Sequence, residues 1–517
     1  MPAARANRTT TRRASLRRSR TAETERGRAR PVAAPERPEA LSAGARIGLW
    51  GTFDLENYGD MLFPRILEEE LRRRLPEAYI RVFAPVGYTG LNRFEEREPA
   101  EPLGPWSPER VAQLADELDC VVVGPGEIIH TRDELLSPYY GLTPAEMRSR
   151  APSRFFIGGL GPELEAECPV VWFAVGIPFE FNSREAPRIR DALAQRSLVA
   201  VRDDTSLHRL RAAGVSRDVD VVPDLAFLTP RLFPPRLLQK RLSQLRASAG
   251  FPQEPPLVIQ ANAGSLPHVT ALAAALGRLR QERDLSGVVI VETGPCHGDG
   301  EFAQALATAL PGSVRLPPGG LGDVTAAIAA SAGFIGTSLH GNITALAYNR
   351  PHLALSWGDG TRLEGFAAAI DNPDCLVEGA DDIPAAFEKA AALGSRAEVV
   401  ADLQGRVDAH LDRVAEVAAK GGALREEART QVTLAEHLTA LRRAHERRGR
   451  MLVAQRWTLA DRVADLDAEI AALKEEIARL EQELAAKEAH VRSVVNSKTW
   501  RYTAPLRNLY GRLRSGR

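Results

Sequence analysis

Short apolar runs alternate with stretches of helical periodicity along most of this chain. The first run, residues 46–50, leads through a glycine-containing loop into a helical pattern at 61–75, and the same order returns several times. A strand that is buried on both faces reads as a continuous apolar run, and parallel neighbours need a crossover helix. The pattern therefore predicts an α/β fold with parallel sheets and helices on both faces. Its predicted strands are residues 46–50, 79–83, 120–123, 169–175, 198–201, 257–260, 287–292, 314–316, 333–336 and 352–357.

The alternating strand and helix patterns form two units, which are separated by a proline-rich stretch. Residues 45–230 form the first predicted Rossmann-like domain, and residues 257–395 form the second. Residues 231–256 are basic and rich in proline, and we interpret them as a helical linker. The chain has 517 residues, which is too many for one hydrophobic core, so the length fits this division.

The C-terminal part of the chain is helical and charged. We expect a helical region at 398–458, a coiled coil at 459–495 and a basic, aromatic tail at 496–517. β-branched residues at the a positions and leucine at the d positions favour two parallel strands. The a positions are Val463, Ile470, Ile477, Leu484 and Val491, and the d positions are Leu459, Leu466, Leu473, Leu480 and Val494, with Lys487 as the interruption.

The heptad repeat is consistent with two kinds of partner helix. A homodimer is the first prediction, because Glu469 would attract Lys474 across the interface. A different partner helix is the second, because Glu476 would face Glu481 across a parallel homodimer.

The amino-acid composition indicates where in the cell the protein acts and argues against some classes of function. Lysine plus arginine equals aspartate plus glutamate, 67 each, so the overall charge gives no argument for nucleic acid. Residues 1–42 hold eleven arginines, four glutamates and few large apolar side chains, which predicts a disordered basic arm. The four cysteines are far apart, which argues against a zinc site or a disulfide scaffold.

Without an apolar run of membrane-spanning length, we expect a cytoplasmic protein. Its C-terminal tail either contacts lipid headgroups at the inner face of the membrane or simply ends the coiled coil.

The stretch GFIGTSLHGNITALAYNRP, residues 333–351, carries the main candidate chemistry. It reads as a strand, a tight loop around His340, an N-cap at Asn342 and a short helix at 343–348. The N–H groups at Gly341 and Asn342 would face outward at the amino end of this helix, together with Ser338. Such a loop suits a phosphate or a carboxylate.

Further candidates follow other predicted strands. Ligands on parallel α/β sheets bind beyond the carboxyl ends of the strands, so polar residues and glycines at those points are candidates for binding. Two of them, Asp60 and Asp224, are equally well explained as residues that cap turns. The set consists of Asn57, Gly59, Asp60, Gly124, Arg202, Asp224, Asn262 and Arg362.

Four phrases of this sequence resemble the polysaccharide pyruvyl transferase family. They are the loop that ends in Asn-x-Gly-Asp at 57–60, the turn GPGE at 124–127, the pair VRD…VVPDLAF between 201 and 227, and SLHG at 338–341. The resemblance covers about 46–387, and Ser338 stands where some family members have an arginine that binds the donor.

The resemblance implies a fold and a reaction. Family members have two facing Rossmann-like domains, as GT-B glycosyltransferases do, and use phosphoenolpyruvate to place pyruvate on sugar hydroxyls. The expected partners are phosphoenolpyruvate and a glycan acceptor, lipid-linked or free, with no cofactor and no metal. Arg202 would bind the donor, and His340 would act as acid, as base or as phosphate ligand, with Asp224 or Asp60 as its partner or as the base.

Two other functions remain open from the sequence. The first is a GT-B glycosyltransferase that uses a nucleotide sugar. The second is a non-catalytic scaffold that works through its coiled coil, because the donor-binding arginine of some relatives is missing before Leu339.

Overall fold

The computed structural model describes residues 44–87, 94, 100–161, 163–194, 196–317, 319–357, 361–430, 442–444, 466, 470–471, 473–493, 496–498 and 502–507. The predicted basic arm at 1–42 lies outside the described residues, as do parts of the predicted coiled coil and of the tail.

The first lobe is built on a seven-stranded parallel sheet. Its strand order is β3-β2-β1-β4-β5-β6-β7, so the chain starts in the middle and builds outward in both directions. The strands are β1 (Arg46–Trp50), β2 (Tyr79–Ala84), β3 (Glu101–Pro102), β4 (Cys120–Val123), β5 (Val170–Val175), β6 (Leu198–Val201) and β7 (Asp220–Val221). The helices are α1 (Tyr58–Arg74), α2 (Pro108–Glu117), α3 (Ser137–Tyr140), α4 (Pro144–Arg150), α5 (Pro152–Gly158), α6 (Glu185–Leu193) and α7 (Asp204–Ala212).

The second lobe holds a six-stranded parallel sheet with the order β10-β9-β8-β11-β12-β13. Its strands are β8 (Leu257–Gln260), β9 (Val288–Ile290), β10 (Val314–Arg315), β11 (Gly333–Gly336), β12 (His352–Leu355) and β13 (Leu376–Val377). The remaining helices are α8 (Thr229–Leu232), α9 (Pro235–Ala249), α10 (Val269–Glu282), α11 (Asp299–Ala309), α12 (Leu321–Ala329), α13 (Leu339–Ala347), α14 (Thr361–Ala369), α15 (Ile383–Ala392) and α16 (Ala397–Thr430).

The two sheets confirm the predicted fold class of two Rossmann-like units. Every residue of β4, β5, β6, β8 and β11 is buried, as expected for strands that have helices on both faces. Of the four two-residue edge strands, β10 was predicted at 314–316, whereas β3, β7 and β13 were not, because so short a strand leaves little pattern to recognise.

The last well-packed helix, α16, returns from the second lobe to the first. Its apolar face is buried at Leu403, Val407, Leu411 and Val414. The Gln404 side chain donates a hydrogen bond of 2.8 Å to the carbonyl oxygen of Phe227 in the first lobe. Thus α16, which follows the second lobe in the chain, packs against the first lobe.

Beyond α16, the described residues of 473–493 are helical and their apolar side chains are exposed. Leu473, Ile477, Leu480 and Leu484 are between 50% and 60% exposed, at the spacing of the heptad. The coiled coil therefore stays a prediction that helical content supports. Among the described residues, no helix combines the length and the apolar character that a membrane crossing needs.

Candidate active site

The two lobes meet where α1 begins and α13 begins. The backbone N–H of Tyr58 donates to the carbonyl oxygen of Thr293 in the second lobe, at 2.7 Å. The buried Tyr58 hydroxyl lies 2.7 Å from the Thr325 hydroxyl and 3.1 Å from that of Thr344. Since α1 follows β1 and α13 follows β11, these contacts bring the carboxyl ends of two central strands together, where α/β sheets place ligands.

His340 occupies the second position of α13 at this junction. Its ring packs edge-on against Phe63 of the first lobe, with ring centroids 5.0 Å apart. Its Nε2 lies 3.5 Å from Oδ2 of Asp224, which belongs to the turn after β7. The imidazole is therefore enclosed by groups of the first lobe although its backbone belongs to the second.

Gly59 makes room for that imidazole. A Cβ placed on Gly59 would lie only 1.8 Å from Nδ1 of His340, so no other residue fits there without displacing the ring. Asn57 caps α1, because its side-chain oxygen accepts the N–H of Gly59 at 3.0 Å. The amide nitrogen of Asn57 also lies 3.1 Å from Nε2 of His297 across the cleft.

Two carboxyl groups near His340 have pKa values shifted in opposite directions. Burial alone would raise the pKa of Asp224, but the neighbouring His340 and Arg202 outweigh burial and hold this pKa below its ordinary value. Burial raises the pKa of Asp60, although the 2.6 Å hydrogen bond from the Thr52 hydroxyl opposes the shift. Two carboxyl groups with separated pKa values can take different roles in acid–base chemistry.

Arg202 shares Asp224 with His340. Its Nη1 lies 3.8 Å from Oδ2 of Asp224, and its side chain is only 7% exposed. Glu127, at 3.8 Å, and Asp203, at 3.5 Å, also flank the guanidinium. None of these ion pairs has the short bidentate geometry of a tight arginine–carboxylate contact, so the guanidinium retains donors for a ligand.

Arg362 of α14 brings a second cation to the same cleft. Its Nη1 lies 3.4 Å from Oε2 of Glu127, and its side chain is 53% exposed. Both arginines line a pocket together with Asp224, and its apolar wall includes Ile343. Arg202 and Arg362, both candidates from the sequence, thus line the same pocket.

The start of α13 differs from the prediction. The helix begins at Leu339 and its N-cap is Ser338, whose hydroxyl accepts the N–H of Gly341 at 3.1 Å. The N–H of Asn342 donates to the Ser338 carbonyl oxygen, and the buried Asn342 amide donates to the carbonyl oxygen of Gly336. The expectation that the N–H groups of Gly341 and Asn342 are free for an anion was therefore wrong. Among the described residues, the backbone N–H groups of Leu339 and His340 have no hydrogen-bond acceptor, as is usual in the first turn of a helix.

For two predicted binding residues, the described contacts do not include His340, Asp224 or Arg202. Gly124 directly follows β4 and has a positive φ of 91°, and a Cβ there would lie 2.8 Å from the carbonyl oxygen of Phe173, which explains the glycine by packing. Asn262 precedes a 3-10 turn in the second lobe, and Ser265 donates its N–H to the Asn262 carbonyl oxygen. The described contacts of both residues serve local structure.

Several residues that shape the site were not among the candidates from the sequence. Glu127 bridges the two arginines, and its signals were its place after a predicted strand and within the phrase GPGE. Phe63 is hidden in the apolar face of α1, and nothing in the sequence distinguishes it from other core residues. Gly176 leaves space for Arg202, since a Cβ there would lie 3.0 Å from Nη2.

The described residues contain no group of three or more His, Cys, Asp and Glu side chains placed to hold a metal ion. His297, which follows Cys296 in a glycine-rich loop, instead packs edge-on against Tyr139 of the first lobe, with ring centroids 5.1 Å apart.

These features define a two-lobed α/β protein with a His–Asp–Arg cluster in the cleft between its lobes. A sequence model of the polysaccharide pyruvyl transferase family matches residues 57–359, more than half of the chain and including every residue of this cluster. The chain belongs to the polysaccharide pyruvyl transferase family.

Comparison with solved structures gives distant similarities. A glycosyltransferase from Rickettsia africae is 12% identical, with a TM-score of 0.43 over 75% of this chain and 100% of that chain. The UDP-GlcNAc 2-epimerase of Neisseria meningitidis bound to UDP-GlcNAc is 12% identical, with a TM-score of 0.41 over 73% and 98%. Anabaena Alr3699/HepE in complex with UDP is 12% identical, with a TM-score of 0.42 over 77% and 100%. No curated protein matches the sequence significantly.

Proposed function

We propose that this protein transfers pyruvate from phosphoenolpyruvate to hydroxyl groups of a cell-surface polysaccharide or of its precursor. Membership of the family supports the modification of a polysaccharide. The observation that carries the proposal is that His340 of the second lobe and Arg202 of the first lobe meet at the same oxygen of Asp224. A small dianion in this cleft would contact groups of both lobes.

The cleft offers the groups that such a donor needs. Phosphoenolpyruvate carries a phosphate and a carboxylate, which arginine binds through paired N–H groups. Arg202 and Arg362 supply two guanidinium groups, and the N–H groups of Leu339 and His340 add the amino end of α13. Arg362 would thus offer the positive charge that the arginine at position 338 supplies in some relatives.

The reaction assigns proton transfers to this cluster. A sugar hydroxyl adds to the enol carbon, the methylene carbon takes up a proton, and a second hydroxyl then displaces phosphate and closes a ketal. Asp224 has a lowered pKa and faces Nε2 of His340, so its negative charge stabilises the protonated imidazole that would donate to carbon. Asp60, with a raised pKa, is the stronger base of the two carboxylates and would take the hydroxyl proton.

The proposal predicts that His340→Ala abolishes the reaction and keeps the fold. Phosphate release from labelled phosphoenolpyruvate, measured with a panel of glycans, should fall by roughly 10²–10⁴-fold, the usual effect of removing a general acid or base. His208→Ala, on the exposed side of α7, is the matched control and should retain the wild-type rate. A wild-type protein that retains a uridine nucleotide and does not respond to phosphoenolpyruvate would instead indicate a nucleotide-sugar transferase.

We also propose that a second copy of this chain covers the exposed apolar stripe of 473–493. β-branched Ile477 and Val491 at a positions, with Leu473 and Leu480 at d positions, fit a parallel pair of helices. Within each helix, Arg479 pairs with Glu476 and Glu483 at 2.6 Å and 3.2 Å. This pairing reduces the repulsion that the glutamates would exert across a homodimer.

A further inference from the structure

A buried hydrogen-bonded path starts at the N-cap of the His340 helix. The backbone N–H of Ser338 donates to Oε1 of Gln260, at the end of β8, over 2.9 Å. The other end of the same amide donates to Oδ2 of Asp299, the first residue of α11, over 2.8 Å. Gln260 and Asp299 are almost fully buried, so water does not compete for these bonds.

Asp299 extends the path to the loop that follows β9. Its Oδ2 also accepts the backbone N–H groups of Thr293 and Gly294, each at 2.8 Å. Its Oδ1 is buried and has no hydrogen-bond partner among the residues that the structure describes. A buried carboxylate that accepts three N–H bonds through one oxygen fixes the segments that donate them, because losing any of these bonds leaves a buried polar group unpaired.

The path then crosses to the first lobe and returns to His340. The carbonyl oxygen of Thr293 accepts the N–H of Tyr58, and the next residue, Gly59, lies directly against the imidazole of His340. The Tyr58 hydroxyl contacts the hydroxyl of Thr344, one turn further along the helix of His340. The His340 side chain is therefore held from two sides by one connected set of hydrogen bonds.

We propose that Gln260 and Asp299 are positioning residues that set the imidazole of His340, through Ser338 on one side and through Thr293 and Tyr58 on the other. Displacing Ser338 or Gly59 moves Nε2 of His340 relative to Asp224. A misplacement of about 1 Å can cost about 10²-fold in rate. The kinetic consequence rests on the proposed function, whereas the mechanical coupling between the lobes does not.

The first test removes the Gln260 amide and keeps the length of the side chain. In Gln260→Met, backbone hydrogen exchange measured by mass spectrometry should become faster in the peptide that contains Ser338 and also in the peptide that contains Tyr58. Gln304→Met is the matched control, because the Gln304 amide contacts only Arg315 among the described residues and lies outside the path. Faster exchange at Ser338 alone, or at neither peptide, overturns the proposal.

The kinetic readout separates positioning from stability. At a temperature where the variant is fully folded, kcat for phosphate release by Gln260→Met should fall roughly 10-fold or more, with a smaller change in the KM for phosphoenolpyruvate. If the Gln260→Met variant is less stable to heat but has the kcat of wild type, then Gln260 contributes only to stability, and the proposal is overturned.

A second variant uses the charge of Asp299. Burial raises its pKa to about 6 against the hydrogen bonds that it accepts. Among the described residues, the ionisable groups near it are the Cys296 thiol, the His297 imidazole and the Glu292–Arg315 pair. In Gln260→Glu, the new carboxyl group would face that of Asp299. At low pH the two groups would share a proton and restore the hydrogen bond between them, and at high pH their two negative charges would repel each other. The rate relative to wild type should rise more steeply as the pH falls for Gln260→Glu than for Gln260→Met, because only the former adds a second carboxyl group. Parallel profiles for the two variants contradict a path through Asp299.

Failure of the proposed reaction would be recognised separately. If wild-type protein releases no phosphate from phosphoenolpyruvate with any acceptor, the reaction is wrong, and the hydrogen exchange of Ser338 and Tyr58 still decides whether the path couples the two lobes.

Discussion

The enclosure of His340 depends on the absence of a side chain at position 59. Phe63 covers one side of the imidazole, and the backbone of Gly59 covers another. Gly59 therefore allows the two lobes to approach closely. The space that a side chain at position 59 would fill is occupied by His340, which lies 281 positions further along the chain.

This contact predicts the effect of Gly59→Ala. The added methyl group would overlap the imidazole, so we expect a loss of about 1–3 kcal/mol in the free energy of unfolding, together with loss of phosphate release. Gly277→Ala is the control, because Gly277 lies within α10 and no atom is within 4 Å of its Cβ position. That variant should be as stable as wild type or more stable by about 0.5–1 kcal/mol in a urea titration.

The opposite pKa shifts of Asp224 and Asp60 predict opposite dependences of stability on pH. The folded-state pKa of Asp224 is lowered, so its stabilisation is complete above about pH 4, the range of an unfolded aspartate, and is lost as the pH falls through the folded pKa. The folded-state pKa of Asp60 is raised, so protonation in acid should relieve its burial.

The measurement is the free energy of unfolding of wild type minus that of the asparagine variant, followed from about pH 6 to about pH 3. The difference should shrink for Asp224→Asn and grow in favour of wild type for Asp60→Asn. Two curves with the same slope would show that the charges around His340 do not have the arrangement described.

Among the helices, α16 is bound to the first lobe by a partly buried network of ion pairs. Asp408 of α16 accepts from Arg74 of α1 at 2.9 Å and from Arg231 of α8 at 2.6 Å. The buried Glu70 lies between the same two arginines. Three helices from distant parts of the sequence are therefore joined at one point.

We expect Asp408→Ala to lower the free energy of unfolding by about 1–3 kcal/mol, because it removes charged hydrogen bonds to both arginines. Among the described residues, Arg231 would keep its pair with Glu70, and Arg74 would keep its pairs with Glu70 and Asp412. Asp402→Ala on the exposed side of the same helix should change it by less than about 0.5 kcal/mol. Equal effects in urea titrations would mean that the network does not stabilise the packing of α16.

The start of α13 shows why a helix boundary can be misread. Ser338 and Asn342 are both good N-cap residues, and the local sequence favours neither. The bond from Ser338 to Gln260 fixes the choice, and Gln260 comes from a strand 78 positions earlier in the chain.

For the molecule as a whole, the exposed heptads predict the assembly. The chain has a mass of 56.3 kDa, and light scattering of the full-length protein should give about twice this value, because two parallel copies would bury the a and d positions. The double variant Leu473→Glu and Leu480→Glu should return the mass to that of one chain, while Ala478→Glu, on the opposite face of the helix, should not. A wild-type protein with the mass of a single chain would refute the homodimer.

The alternation of apolar runs and helical stretches was sufficient to predict the two parallel sheets, because a doubly covered strand must be apolar at nearly every position. The motif phrases were sufficient to select His340, Asp224 and Arg202 as candidates, since each ends a strand or opens a helix. The meeting of these residues was decided by long-range packing. The Tyr58 hydroxyl bonds that hold α1 against the second lobe, the space at Gly59 and the bridge through Glu127 join positions far apart in the chain. Such contacts leave no periodic signal, because they depend on how two separately patterned units face each other.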